Sequence, residues 1–191
     1  MSSEEIREYF VKCREYDEDN HMNIEEIPSV MREKNTWKVV DSTLTVAEIK
    51  ELENGLQMEF PKSYKDYLMA SAHLFEKLIG KFDNFFFEDD VDIVLKIQPQ
   101  PYGEELKYVH EMLEENIILV RENYLPLGIF DDNGYLCIDL MSNNEIVWLP
   151  FENCVGFTKR EEFEEEKLHI FYEFDDFIKC FFRKETHEVE D

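Results

Sequence analysis

"NYLPLGIFDDNGYLCIDLMSNNEIVWLPF", Asn123 to Phe151, is the stretch whose reading decides the fold. Two clusters of turn-forming residues cut its apolar runs. Asp132-Asn133-Gly134 offers the positive φ angles of a tight hairpin, and Ser142-Asn143-Asn144 offers a second turn. Between them Leu136, Ile138 and Leu140 point one way while Cys137 and Asp139 point the other, the period of a strand. The segment therefore predicts a three-stranded antiparallel meander. It contains no catalytic nucleophile, no phosphate loop and no metal cluster.

Toward the C-terminus lies an acid-rich stretch, "KREEFEEEKLH", and then "FYEFDDFIKCFFRKE". Phe174, Phe177, Ile178, Phe181 and Phe182 recur on one helical face, so this helix is expected to cover the sheet. Residues 186–191 are expected as a flexible tail. Toward the N-terminus, "IILV" (117–120) reads as a brief strand. "EELKYVHEMLEEN" reads as a helix with Leu106, Val109 and Leu113 inward, and "QPQPYG" as a loop. "NFFFEDDVDIVLKI" is rich in aromatic and β-branched residues and predicts two short strands or one bent one.

Two helices come before these. Thr45 and Glu48 form a reciprocal capping box that starts the first, whose expected buried stripe is Val46, Ile49, Leu52 and Leu56. Pro61 stands at or near the first turn of the second, with Tyr64, Tyr67 and Leu68 inward. Glu53 sits at the edge of the first stripe, where hydrogen bonding to neighbouring backbone is the more economical role than catalysis. "SSEEIREYFVKCREY" is a short amphipathic helix bearing Ile6, Phe10 and Cys13, with Ser2 and Glu5 as a capping box. Residues 17–28 invite comparison with a calcium loop, but Met22 replaces the required Gly and Pro28 the bidentate Glu. No repeat is present. The organisation predicted is an α+β fold: an N-terminal helical extension over 1–42, an α+β domain over 43–185, and the tail.

Composition limits the function classes. The chain has 191 residues, 43% of them hydrophobic, enough for a sizeable core. It carries 45 acids against 20 bases, a net charge of −25. Such a surface repels nucleic-acid phosphates and anionic lipid and attracts basic proteins, so neither direct nucleic-acid binding nor membrane binding is expected. The four cysteines form no C-x-x-C pair, and Cys137 and Cys180 fall on apolar faces, which suits free thiols in a reducing cytoplasm. The N-terminal residues lack the features of a signal peptide, and no run of apolar residues is long enough to span a membrane.

No hydrolase, nucleotide-binding or zinc-protease motif occurs, and the five histidines are scattered. Paired carboxylates arise by chance in so acidic a chain, and Asp131-Asp132 is read as turn-forming. No catalytic, cofactor-binding or metal residue is assigned, and no cofactor is expected. "EDDVD" (88–92) and "EEFEEE" (161–166) are either solvated faces or a patch complementary to a basic partner. On charge density the partner-binding residues are Glu88, Asp89, Asp90, Asp92, Glu104, Glu105 and Glu152.

"TVAEIKELENGLQMEFPKSYKDYLMASAHL" resembles the opening of the SUKH superfamily, which includes fungal cell-wall assembly regulator-like proteins and many bacterial immunity proteins. The matching positions are Leu52-Glu53, Phe60-Pro61, Tyr64 and Tyr67-Leu68; "ASAHLF" stands where the family usually has Asn-Gly-Gly. Leu125-Pro126, Gly134 and Asp139 match the family's Pro-containing strand, Gly turn and Asp-ending strand. Phe174 and Phe177 match its closing helix. The resemblance covers roughly 43 to 182 and implies a central antiparallel sheet with helices around it. It also implies a non-enzymatic binding protein: an immunity protein blocking a basic toxin domain such as a nuclease, or, as the alternative, a regulatory scaffold docking another cellular protein. Either a monomer or a homodimer is compatible.

Overall fold

The computed structural model describes residues 1–16, 25–34, 36–85, 88, 90–154 and 156–189, so most of the calcium-loop comparison lies outside them. Contacts divide the chain into two compact units, Met1–Glu76 with Gln98–Glu111 and Lys77–Ile97 with Met112–Asp191.

The first unit opens with helix α1 (Ser3–Tyr16), started by the Ser2–Glu5 capping box. A 3₁₀ turn leads into the two-stranded β1 (Arg32–Glu33) and β2 (Thr36–Trp37). Helix α2 (Val46–Leu56) follows. The Glu48 amide donates to the Thr45 hydroxyl at 3.3 Å and the Thr45 amide to the Glu48 carboxylate at 2.8 Å, which satisfies two otherwise orphaned donors. Ile49 and Leu52 are buried, but Val46 is 68% exposed, so the stripe begins one turn later than expected. Pro61 caps α3 (Lys62–Ala70), and Tyr64, Tyr67 and Leu68 face inward as predicted. α1 packs on α3 through Ile6, Phe10 and Cys13, with the Phe10 and Tyr67 rings edge to face at 5.6 Å. After α3 the chain runs extended. His73 pairs its backbone with Gln100, and its ring is fully buried between Phe10 and Phe75. Neither ring nitrogen has a hydrogen-bond partner. Burial lowers the His73 pKa to about 3, so the ring is neutral.

The second unit is built on a seven-stranded sheet. Its strands are β3 (Lys77–Asp83), β4 (Val91–Lys96), β5 (Tyr124–Phe130), β6 (Gly134–Asp139), β7 (Glu145–Pro150), β8 (Leu168–Phe171) and β9 (Thr186–Glu188), in the order β8-β7-β6-β5-β4-β3-β9. All neighbours are antiparallel except β3 and β9. The meander is β5-β6-β7, as the opening stretch predicts. Its first turn differs in detail: the positive φ angles fall on Asp131 and Asp132 rather than on Gly134. Gly134 is needed for space, because a Cβ there would run into the Trp148 indole and the Leu149 carbonyl. Pro126 sits beside a bulge in β5, where a strand tolerates a missing N–H.

Both faces of the sheet are covered. On one, α8 (Phe174–Arg183) buries its five predicted apolar residues against β3, β7 and β8, where Phe82, Phe130, Phe171 and Phe181 form a cluster of mostly edge-on rings. On the other, Tyr124, Cys137, Val147 and Leu149 pack with Leu119 and Phe163. These last two come from short helices α5 (Ile117–Arg121) and α7 (Arg160–Glu166). The predicted strand at Ile117–Val120 is thus a single helical turn. Four consecutive apolar residues carry no period of their own, and burial of Leu119 and Val120 decides the conformation. A strand also replaces the expected flexible tail at Thr186–Glu188, where β9 pairs with Lys81–Asp83.

Candidate functional site

Three carboxylates that the sequence singles out are structural. Glu53 is 2% exposed, and accepts hydrogen bonds from the Phe60 amide at 2.7 Å, Lys65 at 3.1 Å and Lys50 at 3.0 Å. Burial alone would raise its pKa, but these donors outweigh it and hold the group below the usual carboxylate range. Asp139 is 0% exposed, at the end of β6. Its Oδ1 accepts from Arg160 at 2.6 Å and the Met141 amide at 3.0 Å, and its Oδ2 from Lys167 at 2.8 Å. Burial is again outweighed by the hydrogen bonds from Lys167, Arg160 and Met141, and the pKa is lowered. Glu164 bridges Arg160 and Lys167 and accepts from the Tyr124 hydroxyl at 2.9 Å, while the Arg160 guanidinium lies over the Tyr124 ring at 4.5 Å. Ionised carboxylates so fully ligated hold chain to chain, and their lone pairs are already committed.

Glu105 is the third. It was expected on the partner face, yet it is 1% exposed. Its Oε1 accepts from the Thr43 amide at 2.9 Å and its Oε2 from the Thr43 hydroxyl at 2.8 Å. It stands at the start of helix α4 (Glu105–Glu115), and a partner cannot reach it. Glu104, its neighbour in the first unit, is exposed and lies 3.6 Å from Lys107. In the second unit Glu88, Asp90 and Asp92 are exposed around the β3–β4 connection; Asp89 lies outside the described residues. Asp90 adopts a positive φ and its amide donates to Asp83 at 2.8 Å. Lys81, 3.7 Å from Asp90 and paired in register with Asp92, offsets part of this charge. Glu152 is exposed on a separate short helix, α6 (Phe151–Cys154).

A feature that sequence reasoning missed lies on the β6–β7 side of the second unit. A cleft of about 380 Å³ is lined by the end of α4, by α5, Tyr135, Leu149, Phe151, Cys154, the segment 156–158 and Phe163. Its surface is mainly apolar, and among the described residues Glu115 is the one charged residue in its lining. The residues come from separate segments, and each reads as ordinary core when taken alone. The "EEFEEE" block is divided by the fold. Phe163 enters the core, Glu162 caps α7 by accepting from the Thr158 and Lys159 amides, Glu164 joins the Asp139 network and Glu166 accepts from Asn153. Glu161 and Glu165 face solvent.

Among the described residues no group of three or more His, Cys, Asp or Glu side chains is placed to hold a metal ion, and no helix is long and apolar enough to cross a membrane. No curated protein matches the sequence. Residues 43–180 match the SMI1 / KNR4 family (SUKH-1), a span that takes in capped α2, Glu53, Pro61-led α3, the meander, Asp139 and most of α8. With more than half of its length in that match, the chain belongs to the SMI1 / KNR4 family (SUKH-1).

Proposed function

We propose that the protein works by binding and performs no bond-making: an acidic immunity protein that neutralises a basic toxin domain, a nuclease in the leading case, by covering it. The observation that carries this reading is the net charge of −25, combined with a fold that pairs its buried carboxylates internally and leaves many others facing solvent. Membership of a SUKH family supports it. A nuclease must hold phosphate and so presents a basic face, and opposite charge speeds encounter and rejects wrong partners. Cytoplasmic residence follows from the same reading, since an immunity protein meets its toxin there.

Co-expression with a panel of cationic nuclease toxin domains tests it, scored by survival of the host cell. Protection against at least one member is expected, weakened by the triple substitution Glu88→Gln, Asp90→Asn and Asp92→Asn with thermal stability unchanged. Complexes that form without inhibition would make the protein a docking scaffold instead. No binding to any cationic domain would overturn the reading.

A further inference from the structure

We infer that the cleft of the second unit is an anchor pocket, which receives one large apolar side chain projecting from a positively charged segment of the bound protein. The inference rests on the binding reading above and adds to it a location and a recognition chemistry.

The cleft is a built concavity. Leu119, Leu149 and Phe163 form a buried floor. Tyr135, Phe151 and Phe157 form half-buried walls whose rings are braced edge to face, Tyr135 on Phe151 at 4.9 Å and Phe157 on Phe163 at 5.5 Å. Ile118, at the mouth, is 46% exposed. Apolar surface left open in a pre-formed hollow gains free energy when a side chain covers it, and pockets of this kind hold the dominant anchors of protein interfaces. A cavity of 380 Å³ lies near the lower end of the range of about 300–1,000 Å³ typical of ligand sites. That room suits one large side chain with part of its backbone better than an extended hydrophobic ligand.

The rim selects what carries that side chain. Glu115 lines the cleft, exposed Glu152 precedes Cys154 on α6, and Glu161 is exposed on α7. Glu115 helps raise the Tyr135 phenol pKa after burial, and Glu166 likewise helps raise the Cys154 thiol to about 11, so both carboxylates project their charge at the cleft wall. Among nearby cations Arg160 and Lys167 are committed to Asp139 and Glu164, while Lys159, beside Thr158, and Arg121, one turn after Ile118 on α5, are exposed and are outnumbered by the carboxylates. The balance at the rim is negative over an apolar floor. A basic segment bearing an aromatic or aliphatic residue complements both layers. An acidic ligand is repelled, and a neutral lipophile leaves the rim unused.

Short synthetic peptides carrying Trp or Ala between two blocks of Lys and Arg test this against the full-length protein. The Trp peptide is expected to bind about tenfold more tightly than the Ala peptide. Its amide NMR shifts should centre on Ile118, Tyr135 and Phe157. Ile118→Ser and Glu115→Lys, both at the mouth, should each weaken it about fivefold without lowering the melting temperature. Equal affinity of the Trp and Ala peptides, or shifts confined to the β3–β4 connection, would overturn the anchor pocket and leave the acidic-binding reading standing. Neutral N-acetyl-tryptophanamide binding as tightly as the basic peptide would make the cleft a small-molecule site and overturn the partner assigned to it. Failure of the Trp peptide to bind would overturn the anchor pocket, whereas the binding reading itself falls only if no cationic toxin domain binds.

Discussion

Asp139 and Glu53 lie within the span that matches the family, and both are buried and ligated by several donors. Asp139→Asn keeps the shape but strands Arg160 and Lys167 beside a neutral amide. It is expected to cost about 3 kcal/mol, read from urea unfolding. Folding lowers the pKa of both carboxylates. Their contribution is therefore complete above the unfolded value of about 4 and is lost as pH falls through the lower folded value. His73 acts over a higher window. Its folded pKa of about 3 lies below the unfolded value of 6.5, so stability is complete above 6.5 and declines as acid protonates the unfolded chain. The loss reaches about 2 kcal/mol at pH 5. His73→Phe should flatten the stability profile between pH 6.5 and 5, and an unchanged slope would show that another group carries it. The role of Glu53 was legible from its place beside the stripe. That of Asp139 was not, because its partners Arg160 and Lys167 lie 21 and 28 residues away.

Elements with strong periodicity or turn chemistry were readable: capped α2, α3, the meander and α8 stand where expected. The errors have a common cause in tertiary context. Ile117–Val120 resembles a strand because apolar β-branched residues favour one, yet packing makes it a turn of helix. β3 escaped notice although Leu78, Gly80 and Phe82 alternate inward, because Gly80 weakens the pattern. That glycine lets α8 approach: a Cβ there would meet Phe181, Cys180 and Phe82 within 3.0 Å. Gly80→Ala is expected to destabilise by about 2 kcal/mol through displacement of α8, seen as a lower urea midpoint with protected α8 amides exchanging faster. Thr45→Ala, which removes a cap and no core contact, should cost about 1 kcal/mol.

For the molecule as a whole, net charge and family were open to sequence reasoning, while the candidate site was only partly so. Charge density found the exposed acids of the β3–β4 connection, but it could not separate Glu104 from buried Glu105, nor the solvent-facing from the capping carboxylates of α7. The cleft was invisible because its wall is assembled from segments that share no motif. What joins these scales is a scaffold that pairs its buried carboxylates internally and leaves many acids facing solvent, where the proposed basic partner would meet them. Stopped-flow association with a cationic nuclease domain against which co-expression gives protection tests the proposed function most directly. Between about 0.02 M and about 0.5 M salt the on-rate is expected to fall at least about tenfold while the dissociation rate changes little. An on-rate that stays constant across that range would contradict the account.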